Sequence, residues 1–270
     1  MDLALGEAGN LLGWKIYGSV VVFLLGLAVG SFDNVAIYRI PEGLSLWSPR
    51  SFCPRCGNPI AWYDNIPLLS FALLRGRCRR CGEPISLRYP LVELASGLLF
   101  LAVFAGLGFE WRAELLPRLF LVTVLLIASA IDLQRQIIPN RVIYPSIPLG
   151  LAAMGAVALA RGDTGIFLRS LAGLAIGGVP LGLLALLLPR GMGMGDAKLA
   201  AFTGIFLGYQ QITAHFLAFF LGSLVGLILM AVGKKGRKSR IPFGPFLAAG
   251  AVVALFFGSA MWNYYRSFMR

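Results

Sequence analysis

A chain of 270 residues that is 58% hydrophobic and only 13% charged, with mean hydropathy +0.78, lies outside the range of soluble domains. Its formal charge of +12, from 24 Lys and Arg against 12 Asp and Glu, must still be placed, because basic excess can serve nucleic acid or a membrane surface. Crossing a bilayer takes about 20 apolar residues. Segments that qualify, in order, are Ile16–Tyr38, Leu91–Phe109, Leu115–Ile131, Val142–Ala160, Ile166–Leu188, Ala197–Tyr209, Ile212–Val232 and Pro245–Tyr264. The expected fold is an all-α polytopic membrane protein of about eight transmembrane helices, the sixth being short. The expected division is an N-terminal anchor with the first span (1–40), a four-cysteine loop domain (41–90) and a helical core (91–270).

The loops Arg39–Pro90, Asp132–Arg141, Pro189–Lys198 and Gly233–Arg240 hold 17 of the 24 basic residues. The positive-inside rule makes that side cytoplasmic and puts both termini outside. The first 14 residues carry no Lys or Arg, so the opening span reads as a retained anchor. Basic residues in short loops beside spans, including the run Lys234–Arg240, suit anionic lipid headgroups and not nucleic acid.

Between the first two spans lies a polar segment with all four cysteines: Cys53, Cys56, Cys78 and Cys81. In a reducing cytoplasm two C-x-x-C pairs suit four thiolates around a structural zinc, with a redox dithiol as the other reading. Gly57 and Gly82 close each pair and permit the tight turns that aim backbone N–H groups at sulfur. A closed four-sulfur site leaves no position for substrate, so such a metal would be structural.

Further along, two acids at span ends need explanation, because ionisable groups in lipid are costly. Asp132 ends "LFLVTVLLIASAID", at the negative pole of its helix, where Arg135 could neutralise it. Asp196 follows glycines 191, 193 and 195 and has a plain reading as the N-cap of a helix beginning at Ala197. The glycines exceed what a cap needs, and they leave room for another chain to lie against the helix entrance. Both acids fall on one membrane face, and two carboxylates at one depth can divide the work of base and acid. No H-E-x-x-H or G-x-S-x-G is present, and the single histidine, His215, lies near the opposite end of its span, where it reads as a packed polar residue. A transporter would place its acids near the midplane instead. A scaffold, with the cysteine loop as a docking site, would leave them idle.

The motifs "GSFDNVAIYRIP" (Gly30–Pro41), the two C-x-x-C pairs, "WYDNIPLLSF" (Trp62–Phe71), "RYPLVELASG" (Arg88–Gly97), "IDLQRQIIPN" (Ile131–Asn140), "GMGMGDAKL" (Gly191–Leu199) and "IPFGPF" (Ile241–Phe246) stand in the order and spacing of one family. In these the chain resembles the type IV prepilin leader peptidases, membrane-embedded aspartyl proteases of the bacterial inner membrane. The resemblance implies cleavage of the basic leader of prepilins or pseudopilins with Asp132 and Asp196 as the catalytic pair. It also implies N-methylation of the new N-terminus with S-adenosylmethionine, the cysteine loop being typical of members with both activities. A peptidase without the methyltransferase is the enzymatic alternative. The motifs leave the methyl-donor site open, with Trp62–Phe71 and Arg88–Glu93 as candidates by position. Glu42, Asp64, Glu83 and Glu93 are candidates to receive the basic leader. Asp33 departs from the family pattern, which has an apolar residue there, and is given no catalytic role.

Overall fold

The computed structural model describes residues 2–48, 51–188, 191–233 and 241–268. The basic run Lys234–Arg240 lies outside the described residues. Helix α1 covers Asp2–Arg39, the short α2 Leu69–Leu73 and α3 Arg88–Gly106; α4 covers Leu115–Arg135, α5 Asn140–Arg161 and α6 Thr164–Leu187. Helices α7 (Met194–Leu207), α8 (Gln211–Ala231) and α9 (Gly244–Phe268) follow. The eight apolar segments of the sequence all fall on these helices, and seven stretches are long and apolar enough to cross a membrane. The count is seven because α7 and α8 form one apolar stretch, Met194–Ala231. They are nonetheless two helices. Gly208, at φ +55 and ψ −128, takes a backbone conformation that suits glycine and stops α7. At 1.5 Å per residue α7 is about 21 Å long, short of the ~30 Å hydrocarbon layer.

Large apolar side chains stay exposed along these helices, Leu159 and Leu186 among them. In lipid such residues cost nothing outside, so the helices must attract one another by close packing. Small residues supply it. Gly173 and Gly177 of α6 lie against Gly204 and Ala200 of α7 so closely that a Cβ at Gly173, Gly177 or Gly204 would run into a facing carbonyl oxygen. In α9, Gly250 meets the backbone of Ala214 and Ala218 in α8.

The chain divides into two compact units, Met1–Leu115 and Leu116–Arg270. In the first, α3 lies along α1, with Gly26 and Gly30 against Gly97, Ser96 and Glu93. In the second, α7 packs on α6 and a polar chain crosses the apolar core. Thr203 donates to Gln211 Oε1 (3.0 Å), and the Gln211 amide lies 3.2 Å from His215 Nε2. His215 also meets the Gly177 carbonyl, so the lone histidine is a satisfied core residue joining α8 to α6 and α7.

Gly173→Ala should lower the thermal stability of the purified protein in detergent by about 1–3 kcal/mol through overpacking. Gly182→Ala, where nothing lies within 4 Å, should leave it unchanged or raise it. Equal behaviour of the two variants would contradict the packing account.

Candidate active site and metal centre

The loop of the first unit is built as two copies of one turn. The Cys53 amide donates to Asn58 O (2.9 Å) and Gly57 N to Cys53 O (2.9 Å); the Cys78 amide donates to Glu83 O (2.8 Å) and Gly82 N to Cys78 O (2.9 Å). Isolated antiparallel bridges, Phe52 with Pro59 and Arg77 with Pro84, close each copy. Gly57 and Gly82 sit at φ +70 and +69, the left-handed backbone such turns need. The four thiol sulfurs converge within 4.8 Å of one another, with Cys53 and Cys81 at 3.9 Å. Sulfurs about 2.3 Å from a tetrahedral zinc would be separated by about 3.8 Å. Hydrogen bonds from the Asn58 side chain and amide bring the Cys56 thiol down to about 6, and the amides of Cys81 and Arg80 lower Cys78. All four are free thiols. The donor set and its geometry are compatible with zinc.

Around this centre the acids are already engaged. Asp64 holds Arg79 through a two-pronged pair (2.8 Å and 2.6 Å), which keeps its carboxyl below the usual range. Glu83 pairs with Arg55 across the two turns (3.3 Å). Glu93 accepts the Leu68 amide (2.9 Å), fixing a residue held at φ +58. Of the acids considered as receivers of a basic leader, these three therefore have partners within their own unit, and Glu42 is also engaged. Trp62 and Tyr63 are exposed, and Arg79 lies 5.6 Å over the Tyr63 ring.

In the second unit, Asp132 and Asp196 lie within electrostatic reach of each other. Asp132 is buried in the last turn of α4, 4% exposed, and takes its hydrogen bond from the backbone of Gly244 (2.8 Å), not from Arg135. Gly244 opens α9, so the carboxylate at the negative end of one helix meets the positive end of another. That contact has no room for a side chain, because a Cβ at Gly244 would lie 2.8 Å from Asp132 Oδ2.

Asp196 is not the N-cap. Helix α7 begins at Met194, so Asp196 is its third residue and reaches back to the amide of the cap, Gly193 (3.2 Å). Of the three glycines, Gly195 backs onto Ile138 of the loop after α4, with 3.0 Å left for a Cβ, and this draws the start of α7 to the end of α4. Gly191 and Gly193 meet no other element and stay exposed. The two carboxylates are close enough for the charge of Asp132 to act on Asp196. Each gives Oδ2 to a backbone amide, and among the described residues Oδ1 of each has no hydrogen-bond partner. Two residues on, Lys198 reaches Tyr144 Oη (2.7 Å) and Asn140 Oδ1 (3.1 Å), tying α7 to α5.

Sequence reasoning missed two parts of this arrangement. Gly244 stood in a quoted motif without a role, its signal being a glycine at the mouth of a span. Lys198 gave no signal beyond its nearness to Asp196.

Apolar helices packed through glycine, with two acids at helix ends and a four-cysteine loop, define a multi-pass membrane protein. The chain belongs to the type IV leader peptidase family, whose description matches residues 119–231, and residues 24–107 match the bacterial peptidase A24 N-terminal domain. Among curated proteins it is similar to a prepilin leader peptidase/N-methyltransferase of Myxococcus xanthus (41% identical; 82% of this chain, 66% of that protein). Proteins of the same name from Bacillus subtilis (35%; 91% and 96%) and Klebsiella pneumoniae (44%; 73% and 88%) are similar as well. No solved structure matches.

Replacing Cys56 by Ser should reduce bound zinc from about one per chain to near zero and open the loop to protease between residues 51 and 86. Retention of full zinc by that variant would contradict a four-cysteine centre.

Proposed function

We propose that the chain cleaves the basic leader from type IV prepilins or pseudopilins and then N-methylates the new amino terminus. The observation that supports the first step is that Asp132 and Asp196 lie within electrostatic reach, each steered by one backbone amide and each with one oxygen uncommitted among the described residues. In this reading one carboxylate is ionised and takes a proton from water, whose oxygen attacks the scissile carbonyl. The other is protonated and delivers its proton to the departing nitrogen. Because the pair must hold one proton, it acts as a unit and activity is bell-shaped in pH. The amide of Gly244 keeps Asp132 oriented, and Gly193 does the same for Asp196.

The names of the relatives support the second step, with S-adenosylmethionine supplying the methyl group. The four cysteines hold a structural zinc that keeps the loop folded. The basic loops face the cytoplasm, where the leader lies, and both termini lie outside. The anchor (1–40), cysteine loop (41–90) and remaining helices (91–270) serve as functional segments of one enzyme.

The test is cleavage of a leader-bearing prepilin by the purified chain in detergent. Asp132→Asn and Asp196→Asn should each reduce cleavage by at least about 10³-fold with folding and zinc content unchanged. Gly244→Ala, which displaces the Asp132 carboxylate, should lower kcat more than it raises KM. Cleavage at the parent rate by either Asn variant would overturn the reading. Mass analysis of the processed pilin with S-adenosylmethionine present tests methylation separately, and an unmodified N-terminus would leave a peptidase alone.

A further inference from the structure

The segment between α1 and α3 is polar by composition, yet two parts of it turn back toward the spans. After α1 ends, Gly43 (φ +70) helps reverse the chain, and the Arg39 guanidinium donates to Ser45 O (2.9 Å) and holds the reversal. Trp47 thereby returns to Phe32, their ring centroids 6.4 Å apart. Phe32 lies seven residues before the loop end of α1, about 10 Å along its axis.

The second part is α2. The Leu68 amide that precedes it donates to Glu93 (2.9 Å), five residues and about 7.5 Å inside the start of α3. Ser70 is buried and fixes the turn, receiving the Ile66 amide (3.1 Å) and donating to Tyr63 O (2.9 Å).

Both attachments stand at one level of the α1–α3 pair. Gly30 lies against Glu93, and the Asn34 amide donates to the Tyr89 carbonyl (3.0 Å). Phe32, between Gly30 and Asn34 on α1, is therefore level with the turn of α3 from Tyr89 to Glu93. Each helix is long and apolar enough to span a membrane. A level one or two turns inside their ends is the boundary between headgroups and acyl chains.

The side chains presented there are apolar. Trp47 is 86% exposed, and Leu69 and Leu73, four residues apart on one face of α2, are 51% and 72% exposed. The unpaired charge that follows is positive. Asp64 and Glu83 are taken by Arg79 and Arg55, whereas Arg75, Arg77 and Arg80 are exposed and have no carboxylate partner among the described residues.

We propose that Trp47 and the Leu69 and Leu73 face of α2 insert at the headgroup–acyl boundary, and that Arg75, Arg77 and Arg80 engage anionic phospholipid headgroups. Trp and Leu side chains at that depth meet acyl chains, and long arginine side chains reach outward to phosphate. The four-cysteine loop then rides on the bilayer surface, and its mobility depends on headgroup charge.

The test uses the full-length protein in nanodiscs of phosphatidylcholine, alone or mixed with phosphatidylglycerol. Lipid brominated near the headgroup end of its acyl chains should quench the part of the tryptophan emission that Trp47→Phe removes. Backbone hydrogen exchange over residues 69–77 should be slower in the anionic discs, on the order of tenfold. A variant combining Arg75→Gln, Arg77→Gln and Arg80→Gln should keep the parent Tm in detergent and exchange equally in both discs. Leu69→Ser with Leu73→Ser should speed exchange in both. Unquenched Trp47 emission, or equal exchange of the parent in the two lipids, would overturn the proposal. So would a lipid dependence that survives the triple glutamine variant. Protection that appears only on adding prepilin would assign the face to a protein partner and overturn it as well.

Discussion

Burying a carboxylate in a lipid-embedded bundle is costly unless donors meet it, and for Asp132 and Asp196 the donors are the free N–H groups at helix starts. Asp132 would be repelled by the C-terminal pole of its own helix. It is accepted because α9 begins against it, with the Gly244 amide at 2.8 Å. Asp196 sits inside the first turn of α7 and uses that turn's own cap. Backbone donors do not titrate, have no rotamers to search and, at Gly244, leave no space for any side chain to intervene. Two acids held this way each keep one oxygen without a hydrogen-bond partner among the described residues.

The rest of the second unit fixes the helices that carry these acids. Glycine contacts seat α7 on α6, the Thr203–Gln211–His215 chain ties it to α8, and Lys198 ties it to α5. Ile138 against Gly195 then sets the distance from α4. The first unit is organised around a different chemistry: paired cysteine turns and a glycine-lined contact between α1 and α3. Each family description falls within one of these units.

Much of this was legible in the sequence, because apolar length marks helices in membranes more strongly than propensity does in water. The eight segments lie on helices, and the two C-x-x-C pairs converge as four sulfurs can. The start of α7 was harder to read. Glycine and methionine at 193–195 look like a loop by propensity, so Asp196 passes for a cap when the helix has already begun. The partner of Asp132 lies 112 residues away, and no local pattern announces a backbone donor. Asp64 and Glu83 look available to a substrate in sequence, but arginines of the same loop hold them. Asp33 was visible as a departure from the motif, whereas the burial of its carboxylate without a hydrogen-bond partner required the packing of α1 on α3 to be known.

The central claim is that Asp132 and Asp196 act as one unit, and a double-mutant cycle measures that most directly. Prepilin cleavage would be followed for Asp132→Asn, Asp196→Asn and the double variant, each at saturating and at limiting substrate. A shared proton predicts that the double variant loses no more than the worse single one. Losses that multiply, or residual cleavage that falls only with one of the two substitutions, would contradict it.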